Sequence, residues 1–143
     1  MSESVSDRDW AFARDYTAAP EHIDELGHVN NAVWVQWIQD IAVSHWHAVS
    51  PEEHRDRFIW VVTRHEIDYR GNIKAGEVAH GRTRVHGKPK GAQFGREVQF
   101  VDDGGKLLVG VLTRWAMLDR ETMRPARITS EIAAPFLTSS PRT

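Results

Sequence analysis

The chain has 143 residues, a formal net charge of −2, 41% hydrophobic residues and 27% charged ones, which is length for one domain with a proper core and an ordinary globular composition. The near-neutral balance supplies no basic stripe for nucleic acid, and the absence of cysteine removes disulfides and thiolate metal sites. No apolar run reaches the roughly 18 residues that a membrane helix needs. Residues 1–9 are polar and acidic, without the apolar centre of a signal peptide, so the expected location is cytoplasmic. One domain is expected over residues 1–143. Its ordered core spans about 9–137, between frayed tails at 1–7 and 138–143 that are rich in Ser, Thr, Pro and charge.

Residues 10–17 read as a first strand, with Trp10, Phe12 and Tyr16 on one face and Arg14 interrupting them. Residues 18–29 carry Pro20 and Gly27 and read as a loop. A helix follows, capped at Asn30 or Asn31, as asparagine favours, and stopped by Pro51. Its polar residues Gln36, Asp40, Ser44 and His47 form one narrow stripe, with Gln39 beside it. Apart from His45, the rest of the circumference is apolar, so the helix must be buried on most of its surface.

From Phe58 the period changes to two. Ile59, Val61, Thr63, His65, Ile67 and Tyr69 are expected on one face, and Trp60, Val62, Arg64, Glu66, Asp68 and Arg70 on the other. Strand-like runs recur at 77–86, 93–101 and 106–118, separated by Gly87-Lys88-Pro89-Lys90-Gly91 and Asp102-Asp103-Gly104-Gly105, both strong turn compositions. A short helix at 130–136 closes the chain. Hairpin-linked strands with one long apolar helix make an α+β layer arrangement with an antiparallel sheet.

The chemistry concentrates in Asp24-Glu25-Leu26-Gly27-His28-Val29-Asn30-Asn31. A helix start offers unpaired N–H groups and partial positive charge to a developing oxyanion. A carboxylate upstream can fold back over that start and attack, or direct water at, the carbonyl the amides polarise. This pairing suits hydrolysis of an acyl group without metal, cysteine or serine triad. Gly27 permits the bend and close approach to the backbone. The plainer use of an aspartate beside a glycine is to shape a turn.

This Asp-x-x-Gly-His-Val-Asn-Asn run, in the order strand, loop, buried helix and four long strands, resembles the hotdog-fold acyl-CoA thioesterases. The nearest branch is that of the 4-hydroxybenzoyl-CoA and long-chain acyl-CoA enzymes. The resemblance covers residues 10–136 and extends to Gly76-Glu77 and to the closing Asp119-Arg120, Arg127-Ile128 and Glu131. It implies a central helix wrapped by a five-stranded antiparallel sheet, dimers joined edge to edge, and a site at the subunit interface. It implies Asp24 as nucleophile or general base, and the backbone N–H near Asn31, with Asn30 as neighbour, as the carbonyl-polarising group. Gly27, His28 and Val29 form the site loop, with His28 as a flanking residue. Asp40 is the alternative carboxylate, since some branches of the fold carry theirs on the helix.

Of six tryptophans, Trp34 is the expected acyl-pocket residue, one turn from the polarising amides. Lys88 and Lys90 are the expected partners of the coenzyme A phosphates, with Arg64 and Lys74 behind them. No cofactor is called for, and no metal. The eight histidines lack ligand spacing: His45 and His47 are two apart on a helix and diverge, and His80 and His86 are about 20 Å apart at strand rise. The expected substrate is an acyl-CoA, or an acyl carrier protein thioester, and the expected state a homodimer or homotetramer, with neither nucleic acid nor membrane as partner. The competing functions are a non-catalytic acyl-CoA binding module and an acyl-thioester hydratase or dehydratase on the same fold.

Overall fold

The computed structural model describes residues 10–137; the readings made above for the chain ends lie outside the described residues. Five strands, β1 (Phe12–Thr17), β2 (Phe58–Tyr69), β3 (Val78–Lys90), β4 (Gln93–Val101) and β5 (Leu107–Asp119), form one antiparallel sheet in the order β1-β3-β4-β5-β2. Helix α1 (Asn31–Val49) connects the two edge strands β1 and β2 across the sheet. It buries Trp34, Trp37, Ile38, Ile41, Ala42, His45 and Trp46, while Gln36, Gln39, Asp40 and His47 stay exposed, so the polar stripe is its outer surface.

Two apolar clusters divide α1 along its length. The first turns pack Trp34, Trp37, Ile38 and Ile41 against Phe12, Tyr16, Val98, Phe100 and Val109. The last turns place Trp46 among Phe58, Phe94, Met117, Ile132 and Phe136. The closing segment 130–136 is a short helix, α3 (Ser130–Ala133), followed by a 3-10 turn, and it carries Ile132 and Phe136 into that second cluster. Sequence reasoning missed α2 (Glu52–Arg57). Its signal was present: Pro51 at the N-cap, Glu52 and Glu53 in the first turn, and His54, Arg55 and Arg57 in the last, an order that complements the helix dipole.

The alternation expected for β2 is broken once. The register shifts between Val62 and Arg64, leaving Thr63 as an extra residue that moves every earlier side chain to the opposite face. Trp60 and Val62 therefore join His65 and Ile67 on the helix side. They stand opposite Met117, Trp115, Thr113 and Val111 of β5, all of which are buried. The turn expected at Gly87–Gly91 is also shorter than its composition suggests. The strand continues to Lys90 through a second register shift, where Gly87 has a φ of 74° and relieves the extra residues without a side-chain clash.

Candidate active site

The loop after β1 is anchored at both ends. Ala18 N–H donates to Glu77 O (2.9 Å), and Gly76 N–H donates to Ala18 O (2.8 Å). A 3-10 turn, Pro20–His22, then leads to an antiparallel bridge between Ile23 and Val29. Within that bridge, Asp24 N–H donates to His28 O (2.9 Å) and Gly27 N–H to Asp24 O (3.0 Å). Gly27 has a φ of 80°, which a β-carbon would disfavour.

Asp24 is half-buried, and its two carboxylate oxygens are used differently. Oδ1 accepts from Leu26 N–H (2.9 Å) and His28 N–H (3.3 Å), so it shapes the turn. Oδ2 has no hydrogen-bond partner among the described residues. One carboxylate thus serves the turn with one atom and leaves the other available for chemistry, and the structural and functional uses of an Asp-x-x-Gly turn are compatible. His28 enters through its backbone; its side chain is exposed.

The start of α1 separates its amides in the same way. Asn30 is the N-cap: its Oδ1 accepts from Ala32 N–H (2.8 Å), and its carbonyl accepts from Val33 (2.9 Å) and Trp34 (3.3 Å). Asn30's own N–H donates to His22 O (2.9 Å). That bond corrects the pairing of Asn30 with Asn31 as polarising amides, because an amide committed to a carbonyl is not available to a ligand. The Asn31 N–H, at the positive end of a 19-residue helix, has no acceptor among the described residues.

Asn72, just past β2, joins the two parts and was not anticipated. Its side chain accepts from Val29 N–H (3.0 Å) and donates to Val29 O (3.2 Å), while the same oxygen accepts from Ile73 N–H (2.8 Å). Val29 is 1% exposed, so this one side chain satisfies both backbone groups of a buried residue between carboxylate and helix start. An isolated asparagine after a strand carries no sequence signal for such a long-range contact.

Other expected site residues lie elsewhere. Trp34 is fully buried between Trp37 (5.1 Å between ring centres) and Phe100 (5.4 Å); it is a core residue and has no surface to offer an acyl group. Asp40 is occupied from β1: Tyr16 donates to its Oδ2 at 2.6 Å, and Arg14 Nε lies 3.5 Å from the same oxygen. Burial and this bond to a carboxylate both push the Tyr16 hydroxyl pKa up. Asp40 thus ties helix to sheet edge.

Lys88 and Lys90 are not brought to Asp24 within the chain. Thr17, which leads into the loop, pairs with Val78 at the start of β3, and Lys88 is ten residues further along that strand, about 33 Å at strand rise. Of the cations considered, Lys74 belongs to the near end, on the segment that carries Asn72 and Gly76.

The chain matches the model of the thioesterase-like superfamily over residues 18–136. Its structure is similar to that of a thioesterase from Thermus thermophilus complexed with coenzyme A and zinc, at 23% identity and a TM-score of 0.77, covering 90% of this chain and 92% of that one. It is similar to a probable thioesterase from Escherichia coli, at 14% identity and a TM-score of 0.75, covering 89% and 99%. A 1,4-dihydroxy-2-naphthoyl-CoA thioesterase from Synechocystis matches at 12% identity and a TM-score of 0.70, covering 85% and 95%. No curated protein matches this chain.

Proposed function

The chain belongs to the thioesterase-like superfamily and has its hotdog fold, and on that premise we propose that it hydrolyses an acyl-CoA thioester to a carboxylic acid and free coenzyme A. The observation that carries this reading is the pairing of an unengaged Asp24 Oδ2 with the unengaged Asn31 N–H, seven residues on, in one loop fixed by Asn72. The thioester carbonyl oxygen would accept from the Asn31 amide, where the helix dipole stabilises the negative charge that develops on it. Asp24 Oδ2 would then either attack the carbonyl carbon or take a proton from the attacking water. The C–S bond breaks and the thiolate leaves. In the water route this gives the acid directly, and the proton held by Asp24 passes to the thiolate. In the nucleophilic route it leaves a mixed anhydride on Asp24, which a water molecule then hydrolyses to the acid and the free carboxylate. A thiolate is a good leaving group, so the reaction needs no strong general acid.

Two structural neighbours were solved with coenzyme A, which supports coenzyme A as the thiol carrier. A homodimer goes with this reading. Strand β2 is an edge strand of 12 residues, and Val61, Tyr69 and Leu112 are exposed near it, a surface that soluble proteins usually cover. A two-fold pairing with antiparallel helices would bring the hairpin of one protomer, with Lys88 and Lys90, to the Asp24 loop of its partner. A cytoplasmic location, where coenzyme A thioesters are made, accompanies it.

Thiol release from purified protein given benzoyl-, 4-hydroxybenzoyl-, hexanoyl-, decanoyl- and palmitoyl-CoA tests the proposal. Enzymatic release from at least one, in excess of a protein-free control, is the expected result. A folded protein that releases thiol from none would overturn it.

A further inference from the structure

About 16 Å along α1 from Asn31, at the helical rise per residue, a narrow, half-open cleft lies between the helix and β2, β3, β4 and β5. Its walls are Ala42, Val43, Trp60, Val85, Phe94 and Trp115, and its charged residue is Arg96. The lining holds no carboxylate.

Arg96 is 6% exposed, and its partners are neutral. Nη1 donates to His45 Nδ1 (3.1 Å) and to Thr83 Oγ1 (2.9 Å), and the guanidinium carbon lies 5.6 Å from the centre of the Phe136 ring. Nε and Nη2 have no hydrogen-bond partner, and the guanidinium has no ion-pair partner, among the described residues. His45 is held neutral, since burial and then the nearby Arg96 charge push its pKa down to about 3. Burial lowers Arg96 only to about 10, so it is a cation at neutral pH. A buried cation with no anion beside it is costly, and protein interiors normally pair such a charge. Here an apolar, aromatic cleft opens beside it, and the remaining donors have the planar fork that matches a carboxylate.

We infer that this cleft binds the carboxylate of a small molecule with a flat apolar body of about one aromatic ring, Arg96 supplying the counter-charge and Trp60, Phe94 and Trp115 the walls. This goes beyond the thioesterase reading and does not depend on it, because binding is measured without turnover. Such an anion is either a free acid or the far end of an acyl group.

Calorimetric titration of the intact protein with benzoate, against neutral benzamide, tests the inference. Saturable binding of benzoate is expected, with benzamide at least about tenfold weaker. Arg96→Met should abolish that preference. Val43→Phe narrows the mouth from an exposed position without touching the polar cluster, and should weaken benzoate by about tenfold or more. Displacement of bound benzoate by 4-carboxybenzoyl-CoA, and not by benzoyl-CoA, would assign the site to the far end of a substrate; displacement by neither would assign it to a free acid. Absence of saturable benzoate binding, equal affinity for benzamide, or an unchanged affinity in folded Val43→Phe would each overturn the inference.

Discussion

The two ends of α1 solve opposite problems. At its start, Asp24, Gly27, Asn30 and Asn31 are near neighbours in the chain, and their groups are fixed by turn and cap hydrogen bonds made largely by backbone. Toward its other end, His45 from the helix, Thr83 from β3 and Arg96 from β4 meet inside the protein through side chains alone. The first arrangement depends on local geometry and leaves one carboxylate oxygen and one amide unengaged. The second depends on the register of two strands and leaves a buried charge with no counter-charge among the described residues. Unused bonding capacity carries a different proposal at each end: a reactive pair in the loop, and a receptor for an anion in the cleft.

That contrast breaks most severely at Asn72, which supports the loop from outside it. Asn72→Ala strands both backbone groups of buried Val29 and should cost about 1–3 kcal/mol of stability. It should also lower kcat by at least about tenfold, as the loop loses its register with the helix start. Urea melts paired with steady-state kinetics would show both losses; stability lost with kcat unchanged would separate Asn72 from the site.

Acid acts on the other end. His45 has its pKa depressed from 6.5 to about 3 by burial, so below pH 6.5 the unfolded chain takes up a proton that the folded chain refuses. Stability is then lost as pH falls from 6.5 toward 3, by about 2 kcal/mol at pH 5 from this group alone. His65, whose pKa is also lowered by burial, acts in the same direction. His80 opposes them: bonds to Asp103 (2.7 Å) and Asp15 (2.8 Å) raise its pKa, so its contribution is complete below pH 6.5 and fades as pH rises through the folded value. His45→Gln, which keeps an acceptor for Arg96, should flatten the acid limb of a stability profile between pH 5 and 7. An unchanged limb would remove His45 as its source.

Arg96→Met sharpens the comparison through its small effect. Because the charge it removes lacks an anionic partner among the described residues, the change should leave stability within about 1 kcal/mol of wild type or raise it. A loss of several kcal/mol would make Arg96 a structural residue. Smallest of all is the thermodynamic effect expected of Lys88→Ala with Lys90→Ala on an exposed hairpin, within about 0.5 kcal/mol. If a partner's hairpin reaches the loop, that pair raises KM for acyl-CoA with little change in kcat. Lys74→Ala is the comparison at the near end of the same chain.

What could be read from the sequence follows the same division. The long helix, its cap at one of the two asparagines, its polar stripe and all five strands came from periodicity and punctuation, which are local. The bulge at Thr63 was invisible because an extra residue leaves the alternation of types intact on each side and changes only which face each half presents. The Asp24 turn was legible because it is consecutive, whereas Asn72 and Arg96 act on residues more than 40 positions away. Trp34 misled for a related reason: its place one turn from the amides is correct, but its direction is set by packing on Phe100 from β4.

The most direct test of the central claim is Asp24→Asn assayed beside wild type on whichever acyl-CoA the panel selects, with melting temperatures measured on the same samples. Asparagine Oδ1 can still accept from the Leu26 and His28 amides, so the turn and the melting temperature should persist while kcat falls by at least about 100-fold. A folded variant within about twofold of the wild-type rate would contradict the assignment of Asp24 and the mechanism built on it.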